Sequence, residues 1–318
     1  MNLRKPFTAI IGAGQVGATA AQRILEKGLS DVVLFDVVEG MPQGKALDLM
    51  EAAPVEGHDR RIFGTNSYKD IEGAEIVVVT AGLPRKPGMS REDLLGLNAK
   101  IIREVCSNIR TYAPDSKVII VTNPLDIMTH LAQKTLGFPQ SRVFGMAGVL
   151  DTARMRYFLA ERTGVLPREV EAVVLGGHGD LMVPVSSHSR AGGKPVKDLV
   201  PPQELAAIEK RTQDGGAEIV ALLKTGSAFY APASSVCEMV KAILKNEKKA
   251  LPVCAFVKGE YGIKDLYFGV PAELGKNGVE RIVEIPLSEA EKKGMALSAD
   301  KVRQGVEEVE RMGLAVGA

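Results

Sequence analysis

The sequence predicts an α/β protein, with a doubly wound parallel sheet in its first half and an α+β region after it. Short continuous apolar runs at residues 9–11, 32–35, 76–79 and 118–121, with a weaker one at 142–144, read as strands covered on both faces. Helical patterns lie between them, clearest at residues 91–112, where Leu94, Leu97, Ile101, Ile102, Val105 and Ile109 fall on one stripe. Strands that alternate with helices require crossover connections, and hence a parallel sheet wound right-handedly.

The second half has a different texture. A helical pattern at 151–162 precedes a strand at 171–175 and the glycine-rich stretch Gly176-Gly177-His178-Gly179-Asp180. A hairpin is expected at 183–196, turning at Gly192-Gly193, followed by helices at 204–223 and 234–244 and shorter strands at 253–257 and 279–285. Ser288 and Glu291 form a capping box for a last helix striped by Val302, Val306 and Val309. No Pro/Gly/Ser-rich linker separates the halves. The reading is therefore two closely packed domains, 1–145 and 146–318, with a small-molecule cleft between them.

Composition narrows the function classes. The chain has 318 residues, 45% hydrophobic and 25% charged, and a net charge of +1 leaves no field to attract nucleic acid or an acidic membrane. Cys106, Cys237 and Cys254 are widely spaced and odd in number, which supports neither a disulfide framework nor a metal site and suits a reducing cytoplasm. The apolar stretch near the N-terminus is too short for a signal sequence, and no segment reaches the roughly 20 apolar residues of a membrane span.

The first strand passes directly into Gly12-Ala13-Gly14-Gln15-Val16-Gly17. Glycines at this spacing permit a tight turn, close approach of backbone to a pyrophosphate, and close packing of helix on strand, while the helix N-terminus supplies N–H donors. Glycine-rich turns are common, so context carries the argument. A strand precedes, a helix follows, and Asp36 stands at the end of the second strand, 19 positions after Gly17. A carboxylate there accepts from ribose hydroxyls and repels a 2′-phosphate. With Val37 and Val38 next, and no arginine, NAD is favoured over NADP as cofactor.

His178, one of four histidines, is flanked by glycines directly after an apolar run. Taken alone it reads as a surface histidine in a glycine-rich loop; displayed on tightly turned backbone, it also suits a catalytic base. Asp151 and Arg154, three apart in a helical pattern, share a face. As an isolated pair they are an ordinary surface ion pair, but Asp151 suits an imidazole partner and Arg154 suits a substrate carboxylate. The stretch 81–91, with Arg85, Lys86 and Arg91 among prolines and glycines, has the makeup of a lid that carries charge onto an anion.

These residues occur in an order that resembles the lactate/malate dehydrogenase superfamily: Gly12 to Gly17 with Asp36, the arginine-bearing loop, Thr122-Asn123-Pro124, Leu150-Asp151-Thr152-Ala153-Arg154, and Gly176 to Asp180. The resemblance covers almost the whole chain and is nearest to the lactate-dehydrogenase-like malate enzymes of bacteria. It implies a Rossmann fold, NAD, and reversible oxidation of (S)-malate. His178 would be the proton acceptor and donor, Asp151 its partner, and Arg91 the group that polarises the reacting C–O bond. Arg154 would hold the first carboxylate, Arg85 the second, and Asn123 would sit beside substrate and nicotinamide ahead of a cis Pro124. Gly12, Gly14, Gln15, Val16, Gly17, Asp36, Asn98, Val121 and Asn123 would line the cofactor site, and Gly226-Ser227-Ala228 the substrate pocket. No metal is implied. Pro84 stands where many malate enzymes have the first of two arginines, a departure that fits the lactate-like subgroup. The alternatives are a lactate or other 2-hydroxyacid dehydrogenase and a non-catalytic NAD-binding protein on the same fold. The subgroup also implies a homotetramer, with a homodimer as the next reading.

Overall fold

The structure is a computed structural model that describes residues 3–83 and 91–313, excluding the side chain of Arg91. In chain order, β1 (Phe7–Ile11), α1 (Gln15–Glu26), β2 (Asp31–Phe35), α2 (Met41–Glu56), β3 (Ile62–Thr65) and β4 (Ile76–Val79) come first. Then follow α3 (Arg91–Tyr112), β5 (Lys117–Ile120), α4 (Leu125–Leu136) and β6 (Val143–Gly145). Their parallel pairings place the strands in the order β6-β5-β4-β1-β2-β3. The order reverses direction between β1 and β4, the switch point at which open α/β sheets bind ligands beyond their C-terminal strand ends.

The apolar runs are strands because nothing else buries them. β1, β2 and β4 are buried along their whole length, which requires helices on both faces. Two elements, α2 and β3, are absent from the sequence-based expectation. α2 contains Pro54 and exposes Leu47 and Val55, so it shows no clean apolar stripe; β3 exposes Phe63 and ends in Gly64-Thr65, so it lacks the continuous apolar run that marks β1, β2, β4 and β5.

The remaining elements are α5 (Gly148–Thr163), β7 (Val170–Glu171), β8 (Val174–Leu175), β9 (Val183–Pro184), β10 (Arg190–Ala191), β11 (Lys194–Pro195), α6 (Val196–Leu199) and α7 (Pro202–Leu223). After them come α8 (Tyr230–Leu244), β12 (Lys249–Lys258), β13 (Lys264–Gly275), β14 (Gly278–Ile282) and α9 (Glu289–Arg311). Here the structure corrects three expectations. The strand at 171–175 is broken in two: β7 pairs with β10, and β8 pairs with β9 in a separate ribbon. The hairpin does turn at Gly192-Gly193, but its arms are only β10 and β11, because residues 183–184 are already committed to β8.

The third correction concerns the sheet itself. β12 and β13 are 10 and 12 residues long, and they extend the parallel sheet, antiparallel, to nine strands through the pairing of Cys254 with Gly145. Gly269 and Pro271 hide β13 in the sequence, since both residues argue against a strand interior. The ladder tolerates them because Pro271 stands opposite Pro252, so the two missing N–H groups fall on one rung. At Gly269 another backbone crosses: the Gly176 N–H donates to its carbonyl at 2.9 Å.

A main core spans the large sheet and its helices. A smaller cluster of Met155, Leu159, Val170, Val174, Met182, Ala191 and Val196 packs under the short strands. Ser288 caps α9, its hydroxyl accepting from the Glu291 N–H while the Glu291 carboxylate accepts from the Ser288 N–H at 2.7 Å; Val302, Val306 and Val309 are buried. No helix among the described residues is long and apolar enough to cross a membrane.

A Cβ at Gly269 would lie 2.1 Å from the Gly176 carbonyl oxygen, so Gly269→Ala forces the strand and the histidine loop apart. The expected cost is about 1–3 kcal/mol of stability in urea denaturation, accompanied by lower turnover.

Candidate active site

The glycine loop is a turn whose three glycines do different things. Gly12 has φ +111°, and a Cβ there would meet Thr80 Oγ1 at 2.7 Å. At Gly17 a Cβ would lie 1.9 Å from the Gly12 carbonyl, so helix and turn touch only because it is glycine. Gly14 is exposed, and nothing lies within 4 Å of the Cβ it lacks. It caps α1, whose first turn has neither a capping side chain nor an acidic residue. Orphan N–H groups, the positive helix end and open space above Gly14 together suit an anion such as a pyrophosphate, so these residues fit a dinucleotide.

Asp36 closes the other side of the turn. Its Oδ2 accepts from the Ala13 N–H at 2.7 Å and its Oδ1 from the Val38 N–H at 3.0 Å. Each oxygen keeps a second lone pair for a ribose hydroxyl. Val37 and Val38 beside it are exposed. Gln15 and Val16 lie in the first turn of α1, and Val121 extends β5, its N–H donating to the Val79 carbonyl at 2.9 Å.

Three hydroxyl and amide side chains tie the strand ends into one rim. Thr80 Oγ1 donates to the Gly12 carbonyl at 3.0 Å, and Thr122 Oγ1 to the Ala81 carbonyl at 2.7 Å. Asn98, 1% exposed, accepts from the Leu83 N–H at 2.8 Å and donates to the carbonyls of Leu83 and Asn123 at 3.2 and 2.8 Å. Its amide is thus engaged with backbone and sets where Asn123 stands, whereas the Asn123 side chain is exposed and its bond to Pro124 is cis. Sequence reasoning missed Thr80 and gave Thr122 no role beyond its place in the Thr122-Asn123-Pro124 motif. Thr80 directly follows β4, a strand at the switch point, and Thr122 lies two residues past the neighbouring β5; position at the C-terminal strand ends is the signal that marks them.

The histidine loop is held from three directions. The Gly176 N–H bonds to Gly269, the Gly177 N–H donates to Ser298 Oγ at 2.9 Å, and the His178 N–H donates to Asp126 Oδ2 at 2.8 Å. The imidazole Nδ1 lies 2.9 Å from Asp151 Oδ2, and the other oxygen of Asp151 accepts from Arg154 at 3.2 Å. Asp151 is 2% exposed, Arg154 12% and His178 16%. Burial alone would lower the His178 pKa. The charge and hydrogen bond of Asp151, with the charge of Asp126, outweigh burial and the opposing Arg154, and the imidazole is raised above its ordinary 6.5. Burial lowers the Arg154 pKa, and Asp151 opposes it. Its Nε is buried and has no hydrogen-bond partner among the described residues, a donor suited to an anionic ligand.

The structure thus brings His178, Asp151 and Arg154 together; helical spacing put Asp151 and Arg154 on one face, and the placing of His178 against Asp151 comes from the fold. It adds Asp126 and Ser298, which sequence reasoning did not identify; an aspartate in a first helical turn reads as an ordinary dipole partner. Gly226, Ser227 and Ala228 lie in the loop between α7 and α8. Arg85 lies outside the described residues, and Arg91 is the first residue of α3 with its side chain likewise outside them.

A histidine backed by a carboxylate, beside a buried cation and a dinucleotide cradle, is equipment suited to a nicotinamide-dependent dehydrogenase of small hydroxy acids. The chain belongs to the lactate/malate dehydrogenase family: the model of the lactate/malate dehydrogenase NAD-binding domain matches residues 8–145, and that of the α/β C-terminal domain matches residues 148–312. It is 54% identical to a malate dehydrogenase of Trichormus variabilis over 96% of this chain and 94% of that one. It is 53% identical to a malate dehydrogenase of Heliobacterium modesticaldum over 93% and 96%. Among solved structures, Cryptosporidium parvum malate dehydrogenase superposes with a TM-score of 0.94 at 43% identity, covering 97% of this chain and 100% of that one. A lactate dehydrogenase of the same organism, complexed with lactic acid and nicotinamide adenine dinucleotide, gives 0.93 at 40% identity, covering 98% and 99%.

With Asp151 neutralised, burial is left to dominate the imidazole. In Asp151→Asn the His178 titration midpoint is expected to fall from above 6.5 to below it. NMR titration of isotope-labelled histidine, with the resonance assigned through His178→Asn, measures this directly.

Proposed function

We propose that this protein is an NAD-dependent malate dehydrogenase that interconverts (S)-malate and oxaloacetate. The observation that carries the reading is the continuous set of contacts from the glycine turn, through Thr80, Thr122, Asn98 and Asn123, to His178 held between Asp126 and Asp151. It sets a base and an anion-binding arginine at the edge of a dinucleotide cradle. The malate dehydrogenases at 54% and 53% identity support malate as the substrate.

In malate oxidation the chain's part is proton management and charge placement. Asp151 accepts at Nδ1, so neutral His178 carries its proton there and presents the Nε2 lone pair to the substrate hydroxyl. His178 takes the hydroxyl proton, and Asp151 stabilises the imidazolium that results. Arg154 binds the carboxylate next to the reacting carbon, its Nε and remaining N–H groups forming the fork. Arg91 polarises the C–O bond and Arg85 takes the second carboxylate. NAD, when bound, supplies the nicotinamide carbon that accepts the hydride from C2. Asp36 selects NAD by repelling a 2′-phosphate.

Arg85 distinguishes malate from lactate in this reading. Hydrogen bonds to charged groups contribute roughly 1.5–3 kcal/mol each, so a bidentate contact supplies about 3–6 kcal/mol, on the order of 10²–10⁴ in specificity. The assembly is read as a homotetramer, with a homodimer next; exposed Val55 on α2 and Leu222 on α7 are apolar surface suited to contacts between copies. A cytoplasmic enzyme of the tricarboxylic acid cycle completes the proposal.

Two measurements test it. NADH oxidation followed by absorbance, with oxaloacetate and pyruvate offered in parallel, is expected to favour oxaloacetate by at least about 10²-fold in kcat/KM, with the preference collapsing in Arg85→Gln. Comparable values for both substrates in the unmodified enzyme would refute malate specificity and favour the lactate or broader 2-hydroxyacid reading. His178→Asn is expected to lower kcat by about 10²–10⁴ while NADH binding, followed by fluorescence, stays unchanged. Retained turnover would remove His178 from its role.

A further inference from the structure

Asp126 is 4% exposed, at the start of α4: its Oδ2 accepts the His178 N–H at 2.8 Å, the Cys254 thiol lies beside the carboxylate, and Oδ1 is buried without a nitrogen or oxygen partner among the described residues. Holding a backbone N–H requires only a neutral acceptor. The Gly177 N–H, one residue earlier, is held by the Ser298 hydroxyl. A carboxylate at Asp126 costs far more to bury than a hydroxyl or amide, so the hydrogen bond alone does not account for it.

We propose that Asp126 is a positioning residue for His178 that acts in two ways: it fixes the backbone of the histidine loop, and its charge supports the imidazolium as a second carboxylate beside Asp151. The proposal rests on the reading of His178 as the proton acceptor.

The local charge balance shows what the second carboxylate does. Among the described residues, the charged and titratable groups facing His178 are Asp151 and Arg154 from α5 and Asp126 from α4. Those facing Asp126 are His178 and the buried Cys254 thiol from β12. With His178 neutral and no substrate bound, Asp126, Asp151 and Arg154 sum to one net negative charge beside the imidazole. Without Asp126 one negative charge fewer faces the imidazolium, which Asp151 then supports alone against the cost of burial. Burial pushes Asp126 itself up to about 6, against the opposing influence of His178 and Cys254, so its charge is present above that pH and withdrawn below it.

Asp126→Asn keeps an oxygen for the His178 N–H and removes the charge; Ser298→Ala removes the neighbouring loop contact and leaves every charge in place. The test is NMR titration of labelled histidine in the full-length protein, with the His178 resonance assigned by its loss in His178→Asn. Asp126→Asn is expected to lower the His178 midpoint by about half a pH unit or more, and Ser298→Ala to leave it where it is. The alkaline limb of oxaloacetate reduction, which needs the imidazolium, moves to lower pH by the same amount in Asp126→Asn, with NADH binding unchanged. If the amide variant does not fold, Asp126→Ser presents a neutral oxygen in less volume and is read in the same way. An unchanged midpoint in the Asp126 variant overturns the proposal. So does an equal fall in Ser298→Ala, which assigns the shift to displacement of the loop. A rate limb that fails to follow the wild-type His178 titration counts against His178 as the base, and the NMR midpoints still decide the role of Asp126.

Discussion

Two carboxylates buried beside one imidazole organise this structure. Asp126 and Asp151 are almost inaccessible, and an isolated buried carboxylate is costly enough to protonate or to disrupt the packing around it. Each is offset by what surrounds His178: the imidazole itself, the Arg154 guanidinium and the N–H groups of a loop that approaches with its backbone exposed. The glycines of that loop make the approach possible. A Cβ at Gly177 would lie 2.6 Å from Val302, and at Gly176, with φ +87°, an ordinary residue would be strained.

The large sheet sets where this charge cluster sits. Parallel strands end on the same side, so the turn after β1, the segment after β4 and the Asn123-Pro124 turn after β5 converge, and Thr80, Thr122 and Asn98 bind them together. α4 begins directly after that third turn, which puts Asp126 three residues from Asn123 in sequence and in contact with His178 from the other half of the chain. One short helix therefore links the cofactor end to the histidine loop. The long antiparallel strands β12 and β13 complete the link, since Gly269 holds the histidine loop from behind. The two halves share a sheet, and the position of the histidine depends on strands from the second half continuing the first.

How much of this was legible in the sequence follows from the kind of signal each part leaves. Buried parallel strands leave continuous apolar runs, and β1, β2, β4 and β5 were readable to within a residue or two at each end. β13 was not, because Gly269 and Pro271 serve tertiary needs, close backbone approach and a shared rung, that contradict local strand propensity. The same division holds in the site. Asp151 and Arg154 were legible because helical spacing puts them on one face, and His178 because its glycines announce exposed backbone. Asp126 and Ser298 act through contacts between segments 52 and 121 residues apart, and no local pattern distinguishes them from a dipole partner and a helix serine.

The fold does not itself choose between substrates. A malate and a lactate dehydrogenase superpose on this chain almost equally well, at TM-scores of 0.94 and 0.93, so the fold is common to proteins of both activities. In the proposed mechanism His178, Asp151 and Arg154 handle what is common to both reactions, a proton on a hydroxyl and a carboxylate beside the reacting carbon. Selectivity must then come from the group that meets the rest of the substrate, and a second carboxylate calls for a second cation. In the proposed reading that second cation is Arg85, which follows β4 in the sequence. On that reading a single substitution at Arg85 changes substrate choice while the buried charges around His178 stay as they are.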